Sequence, residues 1–259
     1  MNQSEKRLFL IRYLLRERPS CQKQEIPVDA DRQKILLRGL MNLRRPGSIG
    51  ADFLQVQDEY LQGETAVKGI TDIADLTPVR PGLYLWQGDI TTLKCDAIVN
   101  AANSGMTGCY IPNHRCIDNA IHTFAGVELR QYCGKLMEKQ GYPEPIGQAK
   151  ITPAFNLPCR YILHTVGPII HGRVTRRDEE LLASCYRSCL ETAAENDLDS
   201  VAFCCISTGE FRFPNRLAAE IAAKTVGDFL VKDSSVKKVI FNVFKDTDKA
   251  IYTERLGAD

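Results

Sequence analysis

From residue 82 onward, apolar segments of strand length alternate with segments whose apolar residues recur at helical spacing. The strand pattern covers 83–87, 96–99, 150–154, 161–166, 201–206 and 239–244, and the helix pattern covers 118–139, 178–195, the segment after Pro214, and 246–256. Such alternation builds a largely parallel sheet with helices on both faces. We therefore predict an α/β fold of three layers around a mixed, largely parallel sheet, with 150–154 as a candidate edge strand.

The first 80 residues carry helix signals with no strand between them. Helices are predicted at 4–18, capped by Ser4 and stopped by Pro19, at 31–44, and from Asp52 to Gly63, followed by a linker or lid at 64–80. Helices of this length are marginal alone in water, so each needs an apolar partner surface. We predict a helical N-terminal extension with its linker at 1–80 and the main domain at 81–259.

Composition excludes several classes of protein. A net charge of +1 over 259 residues gives no case for general affinity for nucleic acids or membranes. We find no apolar run of membrane-spanning length, and the N-terminus lacks the apolar core of a signal peptide. The chain has ten cysteines, but it is long enough, and at 44% hydrophobic residues apolar enough, to fold without disulfides. We therefore expect a cytoplasmic protein with mostly free thiols.

The loop 105–116 contains three good metal ligands, Cys109, His114 and Cys116, in the spacing C-x4-H-x-C. Three close nitrogen and sulfur ligands suit zinc, and a catalytic zinc site leaves its fourth position to water or substrate. Two alternatives remain open. The residues could be ordinary thiols near a surface histidine, or a structural site could be closed by His122 or Cys133.

Polar and small residues follow several predicted strands. Asp89 follows the first strand, Asn100 and Asn103 follow the second, and 207–211 follow an uncharged central strand. Ligands of open α/β sheets bind beyond these carboxyl ends, so we expect one site. Small residues such as Ser207 let backbone N–H groups point at a phosphate. The loop is not a P-loop, because no Gly-Lys-Ser/Thr follows.

Four segments, at 88–91, 96–103, 117–126 and 206–214, resemble in order and content the macrodomain family, whose members bind ADP-ribose. The Cys/His loop stands where a hydrolytic macrodomain has a glycine run. Together with Ser-Thr-Gly-Glu-Phe at 207–211 and the helical extension, it is similar to the zinc-dependent macrodomain subfamily. The resemblance covers roughly 80–256 as a macrodomain, and nearly the whole chain as the subfamily. It implies a three-layer macrodomain fold.

The resemblance also assigns roles to single residues. Asp89 is expected to accept a hydrogen bond from the adenine amino group, with a backbone contact from Ile90, and Asn103 to face the distal ribose, which carries the scissile bond. The loop 207–211 is expected to hold the pyrophosphate, with Phe211 along the distal part of the ligand. Phe244 is expected either to border the adenine or to pack in the core.

Asp118 corresponds to the acid that positions water in hydrolytic macrodomains, although an aspartate there could also be a helix N-cap. Glu210 is a candidate base or outer partner of the metal, or an exposed loop charge. The predicted catalytic residues are thus Asp118, Asn103 and Glu210, and the predicted metal ligands are Cys109, His114 and Cys116. The ligand-binding residues implied are Asp89, Ile90, Asn103, Cys116, Ile117, Asp118, Ser207, Thr208, Gly209, Glu210 and Phe211.

The resemblance implies a hydrolase that uses one zinc ion per chain to remove mono-ADP-ribose from protein, through an ester to an aspartate or glutamate side chain. The alternative is a reader module that binds ADP-ribose without cleaving it and holds a structural zinc. By resemblance alone, partners are a sirtuin-type ADP-ribosyltransferase and a lipoylated carrier protein related to the glycine cleavage system. We expect a monomer that binds neither nucleic acid nor membrane.

Overall fold

The computed structural model describes residues 1–18, 24–232 and 234–257. Its helices are α1 (Gln3–Arg16), α2 (Ala30–Leu43), α3 (Ala51–Lys68), α4 (Ile117–Ala125), α5 (Val127–Gln140), α6 (Arg176–Glu195), α7 (Asn215–Leu230) and α8 (Asp246–Leu256). Its strands are β1 (Thr71–Asp72), β2 (Leu83–Gln87), β3 (Leu93–Lys94), β4 (Ala97–Ala102), β5 (Ala149–Pro153), β6 (Tyr161–Val166), β7 (Ser200–Phe203) and β8 (Lys238–Val243). Within the described ranges, no helix is long and apolar enough to cross a membrane.

The central sheet has the strand order β2-β8-β7-β4-β6-β5. Every neighbouring pair is parallel except β5 with β6, which is antiparallel, so β5 is the edge strand that the sequence predicts. Val239, Ile240 and Phe241 of β8 are all buried, as expected for a parallel strand covered by helices on both faces. The predicted α/β fold with a mixed, largely parallel sheet is confirmed.

The N-terminal helices α1, α2 and α3 have a hydrophobic core of their own. Leu10 and Ile11 of α1 and Phe53 of α3 are fully buried in it, and Val127 at the start of α5 also belongs to it. The helical N-terminal region is therefore confirmed. The first helix begins after Asn2, whose side chain accepts a bond from the N–H of Glu5, so the predicted cap at Ser4 is wrong. The predicted stop at Pro19 lies outside the described residues, and the division at residue 80 stays a prediction.

The helix α3 runs past Gly63, where the sequence predicts its end, and stops at Lys68, before Gly69 at φ 89°. Gly63 is a packing glycine, because a Cβ atom there would lie 2.4 Å from the Gln3 side chain on α1. The predicted linker at 64–80 therefore begins with helix. The rest of it includes β1, which pairs with β3, and a single 3-10 turn at Ile73–Asp75.

The helix predicted at 118–139 is two helices, α4 and α5, separated by Gly126 at φ 99°. Only glycine adopts this conformation readily, so the chain turns there. The first free N–H group of α5, on Val127, donates to Gln57 Oε1 of α3 at 2.8 Å. The break at Gly126 therefore places the start of α5 against the N-terminal helices. Helical periodicity in the sequence could not reveal the break, because the break depends on this tertiary contact.

Two strands end three residues away from their predicted ends, and the other strand boundaries agree more closely. β4 continues three residues beyond 99, to Ala102, and β7 ends at Phe203 rather than 206. Cys204 is buried after the strand and Cys205 is only half-buried. All nine cysteines among the described residues are free thiols, as expected.

Candidate active site

The predicted site residues lie at the carboxyl ends of strands that share one edge of the sheet. β2, β7 and β4 are parallel members of the same sheet, and β7 and β4 are direct neighbours. Asp89 follows β2, Asn103 follows β4, and the loop beginning at Ser207 lies beyond the end of β7. The parallel arrangement therefore brings together segments that are more than 100 residues apart in the chain.

Asp118, the second residue of α4, is buried, with 4% of its surface exposed. Its Oδ1 atom accepts a hydrogen bond from Asn100 Nδ2 at 2.9 Å, and its Oδ2 atom accepts one from Asn103 Nδ2 at 3.1 Å. Burial raises the pKa of Asp118 to about 6, although both amides and Arg130 lower it. A held carboxylate with a pKa near neutrality can take a proton from water.

The N-cap of α4 is Cys116, not Asp118. The Sγ atom of Cys116 accepts a bond from the N–H of Asn119 at 3.4 Å, which leaves the Asp118 carboxylate free of a capping role. Asn103 joins this helix start to the Cys/His loop, because its Nδ2 atom also donates to the Gly108 carbonyl at 3.3 Å. One amide thus connects the loop with the buried acid.

Behind Asp118, Asn100 lies within β4 and contacts His164, a residue that the sequence analysis missed. Asn100 and His164 are paired in register across β4 and β6, and Asn100 Nδ2 lies 3.1 Å from His164 Nδ1. Since an amide nitrogen only donates, Nδ1 accepts, and Nε2 carries the hydrogen that faces Thr152 Oγ1 at 2.9 Å. Burial lowers the pKa of His164 to about 3, so the ring is neutral. This chain of contacts fixes the Asn100 amide against Asp118.

The predicted metal ligands lie together. Ligand atoms of Cys109, His114 and Cys116 all lie within 4.8 Å of one another, and Cys109 Sγ is 3.7 Å from His114 Nδ1. The other ring nitrogen of His114, Nε2, lies 3.4 Å from Glu210 Oε1. A carboxylate on the far nitrogen of a ligating histidine is the usual outer partner of a metal site.

His122 and Cys133 do not close this ligand group. They lie in a separate buried cluster with His164. His122 Nε2 is 3.6 Å from Asp118 Oδ1, and neither ring nitrogen of His122 has a hydrogen-bond partner among the described residues. Both ring nitrogens of His164 are engaged by Asn100 and Thr152, so that cluster lacks three free ligands. The structure thus gives no support to a structural site closed by His122 or Cys133.

The loop after β7 presents several polar groups that have no partner in the described part of the chain. Ser207 has a left-handed backbone with φ 64°, and its buried Oγ atom has no partner within the described part of the chain. The backbone N–H groups of four residues in this loop likewise donate to no acceptor among the described residues; these are Ser207, Gly209, Glu210 and Phe211. Thr208 is half-buried and bonds to the Cys205 carbonyl. Free, adjacent N–H groups are what a pyrophosphate needs.

At the other end of the site, Asp89 is half-buried and already engaged. Its Oδ1 atom accepts from the N–H and hydroxyl of Thr91, and its Oδ2 atom accepts from Lys68 Nζ of α3 at 3.0 Å. Burial would raise the pKa of Asp89, but the bonds to Thr91 and the charge of Lys68 outweigh it and lower the pKa. An adenine amino group would therefore share or displace Lys68, a residue that the sequence analysis did not single out.

The neighbours of Asp89 differ in what they expose. The Ile90 side chain is buried, so only its backbone can contact a ligand, as the resemblance implies. Ile117 and Phe211 are half-buried. Phe244 is 76% exposed, so its interpretation as a core residue is wrong.

Comparison with known proteins gives consistent matches. A family model described as "Macro domain" matches residues 99–222. A Treponema medium protein named protein-ADP-ribose hydrolase is 60% identical over 99% of this chain and 100% of its own length. A Staphylococcus aureus (strain MSSA476) protein of the same name is 47% identical over 97% of this chain and 95% of its own. A mutant macrodomain of Oceanobacillus iheyensis, solved with ADPR, is 38% identical with a TM-score of 0.63, covering 70% of this chain and 96% of its own.

Proposed function

This chain belongs to the macrodomain family, and we propose that it is a zinc-assisted hydrolase that removes mono-ADP-ribose from modified protein side chains. The relatives named protein-ADP-ribose hydrolase support the activity, because they match nearly the whole chain at 60% and 47% identity. The macrodomain solved with ADPR supports the ligand. The observation that carries the mechanism is the Asn103 amide, which contacts both Asp118 and the carbonyl beside Cys109.

The donor set of the loop fits zinc. Cys109 Sγ and His114 Nδ1 are 3.7 Å apart, and two ligands at usual zinc distances and a tetrahedral angle lie about 3.6 Å apart. Within the described ranges, no fourth His, Cys, Asp or Glu joins the group, which leaves one position for water or substrate. A zinc ion held by these residues would polarise an oxygen or lower the pKa of a bound water. Burial raises the pKa of the Cys116 thiol to about 12, so Cys116 needs such a cation to ionise.

Asp118 is the residue we propose to accept the proton of the attacking water. Its carboxylate is oriented by Asn100 and Asn103, one amide to each oxygen. Hydrolysis delivers the hydroxyl of water to one fragment and a proton to the other, releasing ADP-ribose and the free acidic side chain. The ester linkage to aspartate or glutamate is the part of the proposal that rests on the subfamily resemblance.

Glu210 is better suited to hold His114 than to act as the base. Its side chain is 71% exposed and its Oε1 atom faces the far nitrogen of His114 at 3.4 Å. A carboxylate in this position can fix the imidazole ring while it remains in contact with solvent. We propose that Glu210 orients the imidazole, whereas the buried Asp118 handles the proton.

The alternative is a reader that binds ADP-ribose and does not cleave it. The anion loop at 207–211 would serve a reader equally well, because it only requires free N–H groups. A buried carboxylate with a pKa of about 6, held by two amides beside a three-ligand group, favours the hydrolase. A transferase that attaches the group and a lipoylated carrier that bears it are partners proposed from the resemblance alone.

The variant Asp118→Asn tests the proposal, because asparagine keeps the shape of the side chain and removes the base. We expect release of ADP-ribose from an ester-linked protein to fall by about 100-fold or more, the usual contribution of a general base. Zinc content and ADP-ribose binding are expected to remain. The matched control, Asp228→Asn on the exposed surface of α7, is expected to behave as wild type. Full activity in Asp118→Asn would remove this residue from the mechanism.

A further inference from the structure

We infer that the N-terminal helix α2 positions the metal-binding loop, through Arg38 and Asn42, and thereby sets the affinity of the site for its metal. This inference rests on the proposed function, since it assumes that Cys109, His114 and Cys116 bind zinc. The helix α2 supplies none of the three predicted metal ligands, so its role would be to hold the loop that carries them.

Arg38 reaches from α2 to both sides of the ligand group. Its Nη2 atom donates to the backbone carbonyl of His114 at 3.1 Å and to Asn119 Oδ1 at 2.8 Å. Asn119 in turn donates from its backbone N–H to Cys116 Sγ at 3.4 Å, and from its amide to the Ile111 carbonyl at 3.0 Å. Through one guanidinium, α2 is connected to the backbone of one ligand and to the residue that holds the sulfur of another.

Asn42, one turn further along α2, holds the middle of the loop. Its Oδ1 atom accepts from the N–H of Asn113 at 2.9 Å, and its Nδ2 atom donates to Thr123 Oγ1 of α4 at 2.9 Å. Asn113 has a left-handed backbone with φ 58°, a conformation that asparagine adopts more readily than most residues and that the bond to Asn42 stabilises. Asn42 is 1% exposed, and its bond to Thr123 is buried.

Two further contacts close the interface. Gly39 of α2 is buried against the loop, where a Cβ atom would lie 3.1 Å from Asn113 Nδ2 and 3.7 Å from Pro112 Cβ. Arg130 of α5 donates to the carbonyl groups at the C-terminal end of α2, including those of Asn42 and Arg44, and also to the Cys109 carbonyl at 3.1 Å. Each of the three predicted ligands is thus connected to α2 by at most two successive hydrogen bonds.

The loop cannot supply this order by itself. Ile111, Pro112 and Asn113 are exposed, so the loop has little apolar surface to bury. Fixing the backbone of a flexible loop costs conformational entropy, and a metal that must order its own ligands binds correspondingly more weakly. Contacts that hold the ligands before the metal arrives remove this cost from binding.

The test compares variants of α2 that break the contacts with one that does not. In Arg38→Met and Asn42→Leu, apolar side chains of similar size replace the hydrogen-bonding groups. We expect each to weaken zinc binding by about tenfold, the lower end of the effect of outer partners on metal sites, measured by competition with a chromophoric chelator. Arg32→Met, at an exposed position in the first turn of the same helix, is the matched control and is expected to bind zinc as wild type does.

A third variant guards against simple unfolding. Gly39→Leu places a good helix former in α2, so it supports the helix, but the new side chain must displace the loop. We expect weaker zinc binding with a cooperative unfolding transition retained, an altered charge-transfer spectrum with cobalt, and recovery of ADP-ribose release at saturating zinc. Unchanged zinc affinity in all three variants would overturn the inference alone. Absence of zinc from wild type would overturn the proposed function together with the inference.

Discussion

Glu210 lies 3.4 Å from the far ring nitrogen of His114, and this contact determines what its carboxylate can contribute. An outer partner fixes the ring and raises its basicity, so its loss weakens metal binding without removing the reaction. A base does the reverse, because its loss stops the reaction and leaves the metal in place. The two roles therefore predict different changes in two separate measurements.

We predict that Glu210→Ala weakens zinc binding by about tenfold and that release of ADP-ribose recovers when zinc is saturating. Glu210→Gln should show a smaller effect, because its amide oxygen can still accept the hydrogen of His114 Nε2. Zinc affinity comes from chelator competition and activity from ADP-ribose release. Glu220→Ala, which changes an exposed glutamate of α7, is the control. Loss of activity in Glu210→Gln at full zinc occupancy would instead identify Glu210 as the base.

The sequence could indicate the three predicted metal ligands and Asp118, because these residues and their flanking segments lie close together in the chain. It could not indicate the support behind Asp118. Asn100 and His164 are 64 positions apart, and only the register of β4 with β6 brings them within 3.1 Å. A histidine in an apolar strand looks like any core residue until its partner strand is known. Lys68 was missed for the same reason, since its contact with Asp89 depends on how α3 packs.

At the scale of elements, the conformation of the loop after β7 depends on Gly167, which lies in the connection that follows β6. A Cβ atom on Gly167, directly after β6, would lie 2.0 Å from Ser207 Oγ. The same Cβ atom would lie 2.9 Å from Ile206 Cγ2, so turning the Ser207 hydroxyl away would not by itself make room for it. The shape of the proposed pyrophosphate site therefore requires the absence of a side chain at residue 167.

We predict that Gly167→Ala weakens ADP-ribose binding by tenfold or more, on the order of 1.4 kcal/mol, because Ser207 must move and the free N–H groups move with it. Isothermal titration calorimetry measures the effect directly. The matched control is Gly227→Ala in α7, where a Cβ atom meets nothing within 4 Å. That control should keep its affinity and gain roughly 0.5–1 kcal/mol of stability. Equal affinity in Gly167→Ala and wild type would contradict the proposed position of the ligand.

Element boundaries show where periodicity is informative and where it is not. The order of strands and helices after residue 82 follows the sequence pattern, because apolar spacing reports which face is buried. The division of 118–139 at Gly126 and the continuation of α3 through Gly63 were not predicted. The two glycines look alike in sequence, but one turns the chain at φ 99° and the other makes room for Gln3. Only their tertiary neighbours separate these functions.

For the whole molecule, the buried histidines near the site couple stability to pH. Burial lowers the pKa of His164 to about 3 and that of His122 well below its usual range, with His164 and Arg130 adding to the latter effect. The unfolded chain binds more protons than the folded state between about pH 3 and pH 6.5. Above about pH 6.5 both rings are neutral in the folded and the unfolded chain, and their burial does not oppose folding. As the pH falls below that value, the free energy of unfolding decreases by up to about 1.4 kcal/mol per histidine and pH unit.

We predict that the His164→Gln variant takes up about one proton fewer than wild type when it unfolds near pH 5, so its free energy of unfolding depends less steeply on pH. Denaturant unfolding between about pH 7 and pH 5 measures this difference. Glutamine can still accept the bond from Asn100. Asp118 acts in the opposite direction below about pH 6, because its pKa is raised, and comparing variant with wild type cancels that contribution. His171→Gln, at an exposed loop position, is the control. An unchanged pH dependence in His164→Gln would show that this histidine is not buried as a neutral ring.

The most direct test of the whole account measures zinc content and ADP-ribose release on the same purified sample, for wild type and for Cys116→Ser. Serine is a preferred N-cap, so this variant keeps the start of α4 while removing a thiolate ligand. We predict about one zinc per wild-type chain, release of ADP-ribose from an aspartate- or glutamate-linked protein, and loss of that release in the folded variant. Wild-type protein without zinc would contradict the metal assignment. Stoichiometric zinc and tight ADP-ribose binding without release would place the protein among the readers.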